Sequence, residues 1–343
     1  MGHPGHDPPS ASPALASYDD VLSDVLASVH LTGAMLFVVE ASRPWQSWAP
    51  AAQALRPLLL PAAQHLVSYH IVTEGSCWAG LQGTQPQRYD AGDVFVVPHG
   101  DAYFLADPAD APPSYGSDEA LRFLRGMAAG ELPTTVRQGR RGAQRTRFIC
   151  AFLGCQRRPF NPVLSALPPA LHLRHAARAP DRLQHLIDFA LAELRERSSG
   201  GRGVLTRLAE LMFIEIVRRH LDSADAATQG WLAGLREPLV ARALAQMHGA
   251  ASRHWTLDAL AQACGASRSV LAERFVHFVG LPPMQYLTQW RLQCASRLLA
   301  DPGAGKVAAV AQAVGYASEA AFSRAFKKAT GVAPSHWRRR LHP

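Results

Sequence analysis

The chain is poor in cysteine. Five residues in 343 (Cys77, Cys150, Cys155, Cys264, Cys294) are too few and too scattered for a disulfide framework. It also lacks a long apolar run, because Glu210, Glu215 and Arg218 interrupt its most hydrophobic helical stretch well short of a bilayer span. The first seventeen residues, rich in Pro, Gly, Ser and Ala, have neither the basic start nor the apolar centre of a secretion signal. A floppy leader at 1–17 and a soluble, cytoplasmic chain with no membrane partner are the expectations. The last shortage is local: from Trp231 onward five acids (Glu237, Asp258, Glu273, Asp301, Glu319) face 14 lysines and arginines, a net +9. The whole chain has 35 Lys+Arg and 27 Asp+Glu, so residues 1–230 carry −1. Such a one-sided excess is the footprint of a phosphate-backbone binder.

The basic third of the chain contains a pattern written twice. Leu257 to Gly265 is answered by Val307 to Gly315, with Ala261-Gln262-Ala263 and Ala311-Gln312-Ala313 identical. Phe275, Gly280, Pro283 and Tyr286 return as Phe326, Gly331, Pro334 and Trp337. A short apolar-striped helix, a glycine turn and a second amphipathic helix make a helix-turn-helix. In the first copy the second helix starts at the N-cap Ser267, with Val270, Leu271, Phe275 and Phe278 on its inner side and Arg268, Ser269, Ala272 and Glu273 outside. In the second, Ser318 is the cap. Phe322, Phe326 and Ala329 face in; Glu319, Ala320, Ser323, Arg324, Lys327 and Lys328 face out. Two packed hairpins without a ligand would show the same periodicity, and the charge is what argues for double-stranded DNA.

These residues resemble the AraC/XylS transcription regulators. Gly315 to Arg338 is similar to their C-terminal signature, and Pro282 to Leu299 to the long helix joining their two DNA-reading units. The resemblance covers about Pro238 to the end. It implies base-facing positions at Ser267, Arg268, Ser269, Ala272 and Glu273 in the first copy, and at Glu319, Ala320, Ala321 and Arg324 in the second. Lys327, Lys328, Arg324, the terminal Arg338-Arg339-Arg340 and the helix N-termini at Ser267 and Ser318 are expected to hold phosphates, and Arg274 completes the expected DNA-binding set. Arg268 and Arg324 are the candidates for specific contacts, and RNA polymerase is the protein partner implied.

Before it, Leu31 to about Cys155 is made of short β-branched and aromatic runs between Gly, Pro and Asp turns, an all-β barrel or double sheet. The runs are Ala34–Val39, His65–Val72, Ser76–Leu81, Asp93–Val97, Ala102–Leu105 and Arg147–Phe152. Asp107–Leu132 and Thr134–Gln144, with Pro112-Pro113, Gly116, Gly130 and the basic run Arg137 to Gly142, are expected to be exposed loops. Tyr69–Trp78 and Tyr89–Leu105 resemble the cupin sensor domains that precede such DNA-binding domains, and Thr146–Pro168 resembles the end of that domain. Two helices follow, Asp181–Glu196 and Gly203–Leu221. The apolar stripe Leu183, Leu186, Ile187, Ala190, Leu191, Leu194 serves either homodimerisation, as the resemblance implies, or packing onto the barrel. The fold expected is α+β and multidomain: leader 1–17, cupin-like sensor 18–173, helical hairpin 174–223, linker 224–235 and double helix-turn-helix domain 236–343.

What the sensor half responds to stays open at this level. A metal-dependent enzyme would need ligands among His65, His70, Glu74 and His99. Ser68 and Tyr103 stand where the cupin pattern has histidines, so no metal, cofactor or enzymatic activity is expected. A thiol switch would use Cys77, Cys150 and Cys155, the last two next to Arg147, Arg157 and Arg158, whose charge lowers a thiol pKa; buried structural cysteine is the ordinary reading of each. A small effector would be held by His70, Trp78, Tyr89, Phe95 and Tyr103, which serve as well for the domain's core.

Overall fold

A computed structural model of the chain describes residues 21–26, 31–139, 144–156, 159–175, 181–196, 198–223, 230–301, 303 and 305–341. The expected leader, Arg157, Arg158, residues 140–142 of the basic run and 224–229 of the linker lie outside the described residues. The chain divides into two compact units, one of residues 29–157 and 167–224, the other of 1–28, 158–166 and 225–343.

The first unit is a double sheet. β1 (Leu31–Ser42), β3 (His65–Glu74), β6 (Val94–Val97), β8 (Thr135–Gly139), β9 (Arg145–Cys155) and β10 (Leu171–Leu173) form a six-stranded sheet in the order β10-β6-β3-β9-β1-β8. β2 (Trp45–Ala49), β4 (Ser76–Leu81), β5 (Gln87–Asp90) and β7 (Tyr103–Asp107) form a four-stranded one, β2-β7-β4-β5. Alternation sends Phe37, Val39, Phe148, Cys150, Phe152, Cys77, Ala79 and Leu105 into the space between the sheets. The larger sheet is covered on its other face too, by the hairpin of α5 (Arg182–Glu196) and α6 (Gly201–Ser223). Tyr69 of β3 donates to Ala209 O at 2.9 Å and stacks on Phe213. Eight consecutive residues of β3, His65–Val72, are therefore buried.

The expected exposed loops are a correction. Ser117–Ala129 is a helix, α3, with Asp118 and Glu119 in its first turn and Gly130 in the left-handed conformation at its end. Thr135–Gly139 is β8, paired parallel to β1. The helix α2 (Ala52–Leu59), with Leu55 and Leu59 buried, also joins this core. The stripe proposed for self-association is spent inside one chain: Leu183, Ile187, Ala190 and Leu194 of α5 are buried, as are Leu208, Met212, Ile216 and Val217 of α6.

The second unit holds α8 (Pro238–Gly249), α9 (Leu257–Ala263), α10 (Arg268–Val279), α11 (Pro283–Ala300), α12 (Val307–Ala313), α13 (Glu319–Thr330) and α14 (Pro334–Leu341). Three segments from elsewhere join it: the helix α1 (21–26), the short helix α4 (Pro162–Ala166), and α7 (Trp231–Gly234) from the end of the expected linker. Phe160 sets its ring edge-on to Tyr286, and its backbone N–H donates to Gln293 Oε1 at 3.1 Å. Residues 159–166, read from sequence as the end of the sensor, thus pack with the C-terminal helices. Their apolar and amide groups find partners that sequence proximity does not indicate.

Candidate nucleic-acid interface and sensor cavity

The second helix of each helix-turn-helix unit is built as its sequence specifies. The Ser267 hydroxyl accepts from Val270 N–H at 3.3 Å and that of Ser318 from Ala321 N–H at 3.2 Å, so each serine satisfies one of the free donors at its helix start. Leu271 and Phe275 anchor α10; Phe322 and Phe326 anchor α13. Ser267, Arg268, Ser269 and Glu273 are exposed on the first helix, and Ser318, Glu319, Ala320, Arg324, Lys327 and Lys328 on the second. α11 supports both helix-turn-helix units and buries Tyr286, Leu287, Trp290, Leu292, Ala295 and Leu299 between them.

Inside the double sheet is a cavity of about 40 Å³. His70, Tyr103 and Cys150 line it, with Phe37, Phe148 and Leu105 among its apolar walls, and α3 lays Ala120, Phe123 and Leu124 against it. Ser47, Tyr115 and Gln138 share a ring of hydrogen bonds at the polar end: Ser47 donates to Gln138 Oε1 (2.6 Å), the Gln138 amide to Tyr115 OH (2.7 Å), and Tyr115 to Ser47 Oγ (3.3 Å). His70 Nδ1 lies 3.2 Å from Cys150 Sγ. Burial drives the His70 pKa down to about 3 and the Cys150 thiol well up, the latter helped by Cys77, so both groups are neutral at ordinary pH. His70 Nε2 is buried without a hydrogen-bond partner. The Tyr103 hydroxyl is likewise buried without a hydrogen-bond partner.

Comparison with known proteins gives both halves the same reading. The family described as a cupin matches residues 20–222, and that described as a helix-turn-helix domain matches 260–340. An AraC-like transcription regulator of Streptomyces antibioticus is 32% identical over 82% of this chain and 89% of its own length. The chain belongs to the AraC-like transcription regulators. The HTH-type transcriptional regulator AlkR of Acinetobacter baylyi is 29% identical to this regulator over 93% of the chain and 99% of its own. The DNA-binding domain of AdpA, solved in complex with a target DNA, is 28% identical over 30% of this chain and 91% of that one, with a TM-score of 0.29. No helix among the described residues is long and apolar enough to cross a membrane.

Within the regulator several expected site residues stand elsewhere. Arg274, exposed on α10, pairs with Glu237, whose carboxylate also caps α8 through Val240 N–H. Arg338 donates to Gly305 O at 2.6 Å, with its Nε and one terminal nitrogen buried, so it straps α14 to the loop before α12. The side chain of Arg340 lies outside the described residues. Val270, expected inside, is 46% exposed on α10, and Ala329 is exposed on α13.

The five expected effector residues do not gather in one place. His70 and Tyr103 line the cavity; Tyr89 and Phe95 line a separate cleft of about 180 Å³ beside His172. Trp78 lines neither. On β4 it alternates with the buried Cys77 and Ala79, and the pleat turns it to the other face. The arginine-activated thiol is also corrected. Burial, then the carboxylates of Asp107, Asp90 and Asp93, push the Cys77 thiol up to about 12. Arg147 is engaged with Glu40 and Glu74. Cys155, five residues from Cys150, sits on the opposite face of β9. Of the histidines weighed as metal ligands, His65 and His99 bond the carbonyls of Pro98 and Leu167. No group of three His, Cys, Asp or Glu is assembled for a metal among the described residues.

Proposed function

We propose that this regulator lays α10 and α13 into two successive major-groove segments on one side of a DNA duplex. The observation that carries the reading is a pair of serine-capped helices, exposed along the surface that faces bases in the family and joined by one rigid element. The 18 residues of α11 span about 27 Å at 1.5 Å per residue. With the flanking units, that brings the reading helices roughly one duplex turn apart, about 34 Å. Arg268 and Arg324 read base edges, the exposed Val270 is suited to a thymine methyl, and Lys327 and Lys328 hold phosphates. Ser269, Glu273 and Glu319 stand on the same surfaces. A footprint on a promoter fragment should protect two major-groove stretches one turn apart. Arg324→Ala should weaken specific binding by about 1–3 kcal/mol and relax one base position; unchanged affinity and specificity would remove Arg324 from the reading set.

The regulator acts in this proposal as a cytoplasmic homodimer that addresses RNA polymerase and takes its signal, a small effector, in the cupin domain. High thiol pKa values count against the oxidant alternative. With the inner stripe of α5 consumed in the fold, the dimer would use what the hairpin leaves in solvent: Phe189 on α5, 54% exposed, with Val204 and Leu211 on α6. Sedimentation should give a dimer at micromolar concentration that Phe189→Glu dissociates; a wild-type monomer, with and without DNA, would exclude it.

A further inference from the structure

The cavity inside the double sheet says what kind of molecule it accepts. None of its sixteen lining residues is Asp, Glu, Lys or Arg. A charged ligand there would lose its hydration and find no counter-ion. The walls are mostly aromatic and aliphatic, so the bulk of any occupant must be apolar as well.

Two lining groups lack a hydrogen-bond partner, the Tyr103 hydroxyl, which can donate or accept, and His70 Nε2. Cys150 keeps its proton and lies 3.2 Å from Nδ1 of the neutral His70 ring; because a thiol sulfur is a weak acceptor and an imidazole nitrogen a good one, the S–H is assigned as the donor. The remaining imidazole proton then sits on Nε2, a buried donor with no acceptor in the protein. The cavity, about 40 Å³, is far smaller than the ~150 Å³ void that holds benzene elsewhere. Entry therefore requires a wall to move. The sheets are fixed by their ladders, whereas α3 is a single helix that covers the space with Ala120, Phe123 and Leu124.

We infer that the cavity takes a compact, uncharged, largely apolar molecule with one hydrogen-bond acceptor, seated on His70 Nε2–H as α3 lifts. This rests on the reading of the cupin domain as the sensor.

The test titrates the full-length regulator calorimetrically with acetophenone, with isopropylbenzene, which has nearly the same shape without the acceptor, and with benzoate, which adds charge. Acetophenone should bind about tenfold more tightly than isopropylbenzene, the worth of one buried hydrogen bond, and benzoate should not bind at neutral pH. His70→Leu should erase the ketone's advantage and His70→Gln, which keeps an N–H, should retain part of it. Phe123→Ala, at a half-buried position of α3, enlarges the void and should tighten both neutral probes even if the His70 variants fail to fold. Benzoate binding as well as acetophenone, or no binding of either neutral probe to the wild type and Phe123→Ala, overturns the inference. The sensor reading is tested separately by Ala120→Trp, which fills the void. If induction of a reporter behind a mapped binding site survives it, the cavity is not the sensor; if induction is lost while the probes fail to discriminate, only the ligand class is wrong.

Discussion

The two helix-turn-helix units descend from one sequence pattern, yet they are held together differently. In the first, Tyr286 occupies the position that Trp337 takes in the second. The Trp231 indole donates to the Tyr286 hydroxyl at 3.0 Å, which in turn faces His248 Nε2 at 2.9 Å, and His248 stacks on Trp290. Phe160 and α1, from far away in the chain, pack into this unit, with Asp24 Oδ2 3.8 Å from His248 Nδ1. The second unit closes on its own aromatics, Phe322, Phe326 and Trp337, and the Trp337 indole nitrogen has no partner. Thr256 caps α9 through Ala259 N–H, whereas Lys306 provides no side-chain cap for α12. Even the turn glycines differ: a Cβ at Gly315 would sit 2.6 Å from Ser252 O, while Gly265 has open space. The repeat preserves the outline of a reading head, and each copy solves its burial problem with whatever chain lies against it.

The reading surfaces diverge in the same way. α13 presents Arg324, Lys327 and Lys328 freely, whereas on α10 Arg274 is bound to Glu237 and Val270 stands exposed. The second unit has the more cationic face; the first has the more neutral one.

The comparison breaks most sharply at Tyr286. Tyr286→Phe keeps the ring but leaves the Trp231 N–H and His248 Nε2 buried and unpaired, at a cost of about 2–4 kcal/mol. Trp337→Phe removes packing volume and no hydrogen bond, so about 1–2 kcal/mol is expected, roughly half a full aromatic truncation. Urea unfolding of the two variants, followed by circular dichroism, checks this. Equal costs, or a larger one at Trp337, would show that the hydroxyl network contributes nothing particular to the first unit.

Much of this architecture was legible in the sequence because it rests on local rules. Both serine caps, the inward Leu271, Phe275, Phe322 and Phe326, and the alternating strands follow from periods of 3.6 and 2. What was missed lies at the margins of those rules or beyond their range. Val270 sits at the edge of an apolar stripe, where a 3.6 period places a residue only to within about 100°. The α3 segment is bracketed by Gly116 and Gly130, which read as loop residues but stand at the two ends of a helix. Trp78 was recoverable, since Cys77 and Ala79 flank it on a strand and only one of the two faces is inside. Arg274 and Arg338 were not, because their partners Glu237 and Gly305 lie more than thirty residues away.

A smaller effect separates the units by pH. Burial depresses the His248 pKa from 6.5 to about 3; the Asp24 carboxylate nearby, about half exposed, is too well solvated to reverse this. Above pH 6.5 the side chain is neutral both folded and unfolded, and the shift contributes nothing. Below it the unfolded chain takes up a proton that the folded unit refuses, so stability falls by about 1.4 kcal/mol per pH unit, some ~2 kcal/mol between pH 6.5 and 5. His70 in the sensor adds a like term, so the wild-type slope alone does not isolate the DNA-binding unit. His248→Gln does, because glutamine accepts from Tyr286 without titrating. Its stability deficit relative to wild type, measured by denaturant titration at pH 7 and again at pH 5, should shrink by about 2 kcal/mol on acidification. A deficit that stays constant would mean that His248 titrates alike in both states, and that the first unit's polar core is wetter than its packing indicates.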